Sequence, residues 1–147
     1  VEDINTAIDD FASVEPNIIT FHYEVCKNKE EVMEVIRKIK NNNCKVGISV
    51  KPETDIKEIY EFLPYVHMCL VMTVEPGQTL LKDMVNKIAE LKEYIQKNNL
   101  EVDIEADGGI NLTTAEAVKK AGANILVSGT AILMAKDYKV IIDDLRA

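Results

Sequence analysis

The chain has 147 residues, 47% of them hydrophobic and 29% charged, with a net charge of −8. That length and balance fit one soluble domain with a sizeable core and exclude a disordered chain. The acid excess argues against nucleic acid and anionic membrane surfaces as partners, and no apolar run reaches the roughly 18–20 residues that cross a bilayer. A small anionic substrate stays open, because backbone N–H groups bind phosphate even in an acidic protein. Cys26, Cys44 and Cys69 match no zinc spacing and read as reduced thiols of a cytoplasmic protein. No cationic-then-apolar leader precedes the fold pattern, and a valine rather than a methionine at position 1 leads us to expect an upstream piece beyond this sequence.

Residues 1–14 place Ile4, Ala7, Ile8 and Phe11 on one helical face, and Pro16 with Asn17 ends that helix. Ile18-Ile19-Thr20-Phe21 is a β-branched strand. Residues 28–42 carry Val32, Val35, Ile36 and Ile39 at helical spacing, and residues 45–50 (KVGISV) read as a buried strand. Thr54 is expected to cap a helix running to about Val66, weakened in its last turn by Pro64. A strand over 68–74, a long amphipathic helix over 80–98 and an alternating strand over 101–107 follow. A helix over 113–121 stops at Gly122, a strand spans 124–129, and a last helix spans 137–146.

The order is one helix and then five strand–helix units, with no linker or second domain, so residues 1–147 form a single α/β domain. Short connections between alternating elements predict parallel strands with right-handed crossovers. Near-continuous apolar strands predict a sheet covered on both faces. An open doubly wound sheet and part of a (β/α)8 barrel both fit.

The polar and glycine-bearing features follow the strands: His22 and Glu24, Lys51-Pro52, Glu75-Pro76-Gly77, Asp107-Gly108-Gly109, and Ser128-Gly129-Thr130. In either architecture the carboxyl ends of the strands make the site face, so this clustering points to an enzyme. Glycine lets a phosphate approach backbone N–H groups closely.

FHYE (21–24), GISVKPET (47–54), VMTVEPG (71–77), EADGGIN (105–111) and AGANILVSGTAI (121–132) stand in an order and spacing that resemble the ribulose-phosphate 3-epimerase family. The resemblance covers nearly the whole chain, and VMTVEPG followed by DGGIN is a specific pairing. It implies the last five strand–helix units, strands 4–8, of a TIM barrel, preceded by one helix. It also implies inversion of carbon 3 of a ketose phosphate, ribulose 5-phosphate to xylulose 5-phosphate, through an enediolate. A divalent metal (zinc, iron, manganese or cobalt) stabilises the enediolate oxygens in that family, and two aspartates exchange the proton.

Carried over by motif, Asp107 is an acid/base and a metal ligand. Gly77, Gly108, Gly109, Gly129 and Thr130 bind the phosphate, and Met72 lines the metal site. The other aspartate, both histidine ligands and a serine of the first strand are expected upstream, so the residues of this sequence alone are not expected to complete the metal site. The family's loop after its sixth strand reads E-P-G-F-G-G-Q, whereas Glu75-Pro76-Gly77-Gln78 is three residues shorter. The resemblance also leads us to expect a homo-oligomer with a phosphorylated ketose as its partner, while the acid excess leads us to expect no nucleic acid or membrane.

Simpler readings stand beside these. Asp107 could be an Asx-turn residue, the glycines plain turn formers, and Met72 and Ser49 core residues. His22 and Glu24 share a strand face and read as a hydrogen-bonded pair; His67 lies at the opposite, structural end. Alternative functions are an epimerase or synthase for another ketose phosphate, such as a hexulose-phosphate synthase, or an inactive partial barrel serving as an interaction module.

Overall fold

The structure, a computed structural model, describes residues 3–73 and 82–147. The described residues form one parallel sheet in the order β1-β2-β3-β4-β5. Its strands are β1 (Ile18–His22), β2 (Lys45–Val50), β3 (Met68–Met72), β4 (Asp103–Asp107) and β5 (Ile125–Val127). Strand order equals chain order, and every neighbouring pair is parallel. A doubly wound sheet reverses direction from its first strand, and this one does not. Right-handed crossovers that always step the same way put all helices on one face, which is the winding of a (β/α)8 barrel.

The helices are α1 (Ile4–Ala12), α2 (Lys29–Asn41), α3 (Lys82–Lys97), α4 (Leu112–Ala121), α5 (Thr130–Leu133) and α6 (Tyr138–Arg146). Neighbouring helices touch: α1 with α2, α3 with α4, α4 with α6. Caps set their starts. Asp3, Asn28, Asn111 and Asp137 each accept first-turn N–H groups, and Asn111 with Thr114 completes a capping box.

The core lies between the helices and the outer face of the sheet. Ile19 and Phe21, then Val46, Ile48 and Val50, then Cys69 and Val71, then Ile104 and Ala106 all point that way and are buried. They meet Val32, Val35, Ile36 and Ile39 of α2, Ile88, Leu91 and Ile95 of α3, and Val118 of α4. The other face carries Thr20, His22, Ser49, Leu70, Met72, Glu105, Asp107 and Val127. In a barrel this is the inner face.

Several boundaries differ from expectation. The helix expected from Thr54 is a 3-10 helix, Ile56–Tyr65, capped by Asp55. The Thr54 hydroxyl is instead used by Glu24. Pro64 lies inside this helix and has no N–H to give to the carbonyl three residues before it. The strands are shorter than read: 73 lies past β3, 101–102 lie before β4, and 124 and 128–129 lie outside β5. A one-turn helix, α5, stands between the strand expected over 124–129 and the last helix. Phe11 is 59% exposed, because α1 packs inward through Ile4, Ile8 and Ala12.

Candidate active site

β4 alternates strictly. Ile104 and Ala106 are buried under the helices, so Asp103, Glu105 and Asp107 face inward. Asp107 ends the strand, flanked across the ladder by Met72 and Val127. The chain then turns through Gly108 (φ 110°) and Gly109 (φ 63°), backbone angles that strain any residue with a Cβ.

A residue not singled out from sequence holds this turn. Thr73 is fully buried; its N–H donates to the Asp107 carbonyl at 2.7 Å. Its hydroxyl faces the carbonyls of Asp107, at 2.9 Å, and Gly108. Beyond the turn, the Gly109 carbonyl accepts from Thr114 Oγ1 at 2.8 Å and Asn111 Nδ2 at 3.2 Å. Ser128 Oγ donates to the Ile110 carbonyl at 2.8 Å and ties this loop to the next glycine turn. Asp107, Gly108, Gly109, Gly129, Thr130 and Met72 therefore gather at one end of the sheet. A Cβ built on Gly129 would meet nothing within 4 Å, so the space beside it is open. Among the described residues no backbone carbonyl takes the N–H of Gly109, Gly129 or Thr130. Gly77 and the rest of 75–78 lie outside the described residues.

Glu105 sits two residues below Asp107 on the same face. Burial, and then the neighbouring Asp107 charge, raises its pKa above the ordinary glutamate value. Two carboxyl groups, those of Glu105 and Asp107, therefore stand at the inner end of β4. A cation or an electrophilic group there would be favoured.

A second polar cluster follows β1 and β2. Glu24, in the 3-10 turn Tyr23–Val25, accepts from the Lys51 N–H at 2.8 Å and from the Thr54 hydroxyl. Lys87 of α3 donates to the carbonyls of Lys51 (3.2 Å), Pro52 (2.8 Å) and Thr54. Burial pulls the Lys87 ammonium below its usual pKa. Residues 51–54 are thereby clamped from two sides. His67 lies at the other end, where its Nδ1 accepts the Val46 N–H at 3.2 Å.

The described residues contain no group of three or more His, Cys, Asp or Glu able to hold a metal ion. Asp107 offers one hard oxygen donor, so any metal there needs ligands from outside them.

The family model described as the ribulose-phosphate 3-epimerase family matches residues 1–133. The chain belongs to that family. It is 38% identical over 138 residues to the ribulose-phosphate 3-epimerase of Eremothecium gossypii, covering 92% of this chain and 55% of the relative. Against the ribulose-phosphate 3-epimerase of Escherichia coli K12 it is 31% identical, covering 100% of this chain and 65% of the relative. The chain thus spans little more than half to about two thirds of these relatives' length. Among solved structures, a 3-hexulose-6-phosphate synthase superimposes with a TM-score of 0.71 at 18% identity, covering 97% of this chain and 66% of that one. Tryptophan synthase subunit alpha from Campylobacter jejuni gives 0.58 at 13% identity, covering 98% and 58%. At such identities the likeness speaks for the barrel fold alone. No described helix is long and apolar enough to cross a membrane.

Proposed function

We propose that this chain supplies strands 4–8 of a (β/α)8-barrel isomerase of the cytoplasm that inverts carbon 3 of a ketose phosphate, interconverting ribulose 5-phosphate and xylulose 5-phosphate. The observation that carries the reading is the position of Asp107. It is the last residue of β4, on the inner face, and the Gly108-Gly109 and Gly129-Thr130 turns stand at the same end. In this reading the N–H groups of those turns hold the phosphate ester, as in barrels that bind phosphate after strands 7 and 8. Met72, beside Asp107 in the ladder, gives the reacting carbons an apolar neighbour. Gly77 belongs to the same phosphate-binding set by family motif.

Asp107 then removes or returns the proton at carbon 3. The C–H bond breaks towards the carboxylate, and its electron pair moves into the adjacent carbonyl to leave an enediolate. A second acid delivers a proton to the opposite face; it lies outside the described residues. The family's divalent metal belongs to the proposal as a stabiliser of the enediolate oxygens, with Asp107 as one ligand. Residues 1–147 form a single domain within the barrel, and the assembled enzyme is a homo-oligomer.

The test is turnover by the full-length chain carrying this sequence. Ribulose 5-phosphate is expected to yield xylulose 5-phosphate, with inorganic phosphate as a competitive inhibitor. Gly109→Val is expected to raise KM, since it puts a β-branched residue at φ 63°. Absence of conversion in the metal-loaded full-length chain would overturn the reading.

A further inference from the structure

His22 ends β1 and pairs with Ser49 of β2. The register runs on from Ser49 to Leu70 and Glu105, and Glu105 shares its face with Asp107. His22 and Ser49 therefore lie on the same inner face as the proposed acid/base, one ladder step below it.

Two buried polar atoms in this corner lack a hydrogen-bond partner among the described residues: Ser49 Oγ and Glu24 Oε2. Ser49 is only 2% exposed. An unpaired buried hydroxyl is costly, and native proteins keep one where water or a ligand completes it. Glu24 cannot turn away to find another partner. Its Oε1 is held by the Lys51 N–H and the Thr54 hydroxyl, and residues 51–54 are held in turn by Lys87. Its free Oε2 lies 3.8 Å from His22 Nδ1. The His22 side chain is 46% exposed.

A fixed carboxylate beside Nδ1 favours the tautomer with its proton there. The Nε2 lone pair is then an acceptor on the other side of the ring, and Ser49 both donates and accepts. Such a pair suits a hydroxyl group. It does not suit a phosphate, which the Glu24 charge repels.

We propose that His22 and Ser49 form a hydroxyl-binding subsite for the uncharged part of the ketose phosphate, with Glu24 as the positioning residue for His22. The ligand's identity rests on the function proposed above. The phosphate is held at β4 and β5, and the sugar hydroxyls extend towards β1 and β2. This corner then discriminates among ketose phosphates by where their hydroxyls fall.

The full-length chain tests this. Ser49→Ala and His22→Ala each raise KM for ribulose 5-phosphate about tenfold, as expected for one lost hydrogen bond. The inhibition constant of inorganic phosphate stays unchanged in both. His22→Gln, which keeps an acceptor, recovers part of the loss. In Glu24→Gln the ring-nitrogen NMR signals of His22 at about pH 8 move towards the Nε2–H tautomer. A KM within about twofold of wild type in both Ser49→Ala and His22→Ala overturns the subsite. Should the chain convert no ribulose 5-phosphate, the ring signals still decide. A shift with ribulose 5-phosphate and none with inorganic phosphate supports the subsite; no shift with either refutes it.

Discussion

Thr73→Val isolates one hydrogen bond beneath the proposed acid/base. Valine keeps the volume and branching of threonine, and position 73 is completely buried, so packing is preserved. The Thr73 N–H still donates to the Asp107 carbonyl at 2.7 Å. What disappears is one O–H shared between the carbonyls of Asp107 and Gly108. A buried polar group left unmatched costs about 1–3 kcal/mol, and since the turn is half-buried the lower half of that range applies. For a chain of this size each kcal/mol lowers Tm by about 2–4 °C. The larger effect falls on turnover, because Gly108 and Gly109 hold positive φ angles that this bond helps to fix. Misplacing a reacting group by about 1 Å costs about 100-fold in rate. Thr73→Ser separates the two effects: it keeps the O–H and loses a methyl group, about 0.8 kcal/mol of burial. Urea melts and epimerisation rates of both variants make the assay. Serine should be less stable yet active, and valine slow. A valine variant with wild-type turnover would refute the positioning argument.

Gly47→Ala is expected to destabilise by about 1–3 kcal/mol, because its Cβ would collide with the Thr20 side chain and lie 3.2 Å from Met68 Cε. Adding Thr20→Ala should recover much of that loss in a double-mutant cycle of urea melts. Lys87→Met removes the donor shared by three carbonyls of residues 51–54 and should cost about 1–3 kcal/mol, with faster amide exchange at Thr54. Tyr60 is stacked on Tyr94 at 3.7 Å, and burial with the Glu90 charge pushes its phenol up to about 12. A raised folded pKa favours the protonated phenol. Its contribution is complete below the unfolded value of about 10 and is lost as pH climbs towards 12. Tyr60→Phe should therefore lose less stability than wild type across that window in alkaline melts.

Much of this fold was legible because its periodicities are clean. The spacing of Val32, Val35, Ile36 and Ile39 gave α2, and every one of them is buried. The run at 45–50 gave β2 to the residue. Doubly wound sheet and barrel could not be separated by pattern, because strand order is a long-range property; the ladders from β1 to β5 decided it. The 3-10 helix Ile56–Tyr65 escaped notice because over ten residues its apolar spacing also suits an α-helix, and Pro64 was the one cue. At the candidate site Asp107 and the glycines stood out by residue type and motif. Thr73 did not. It looks like the tail of an apolar strand, and its partners lie 34 and 35 residues away. The Glu24–Lys87 clamp was hidden for the same reason, since it joins three segments through backbone carbonyls and N–H groups that no sequence pattern marks.

The most direct measurement is deuterium exchange at carbon 3 of ribulose 5-phosphate, catalysed in heavy water by the full-length chain and by its Asp107→Asn variant. Asparagine keeps the shape of the side chain and cannot accept the proton. The account predicts exchange in the wild type and a fall of about 100- to 10,000-fold in the variant. Exchange at the wild-type rate in Asp107→Asn would contradict it.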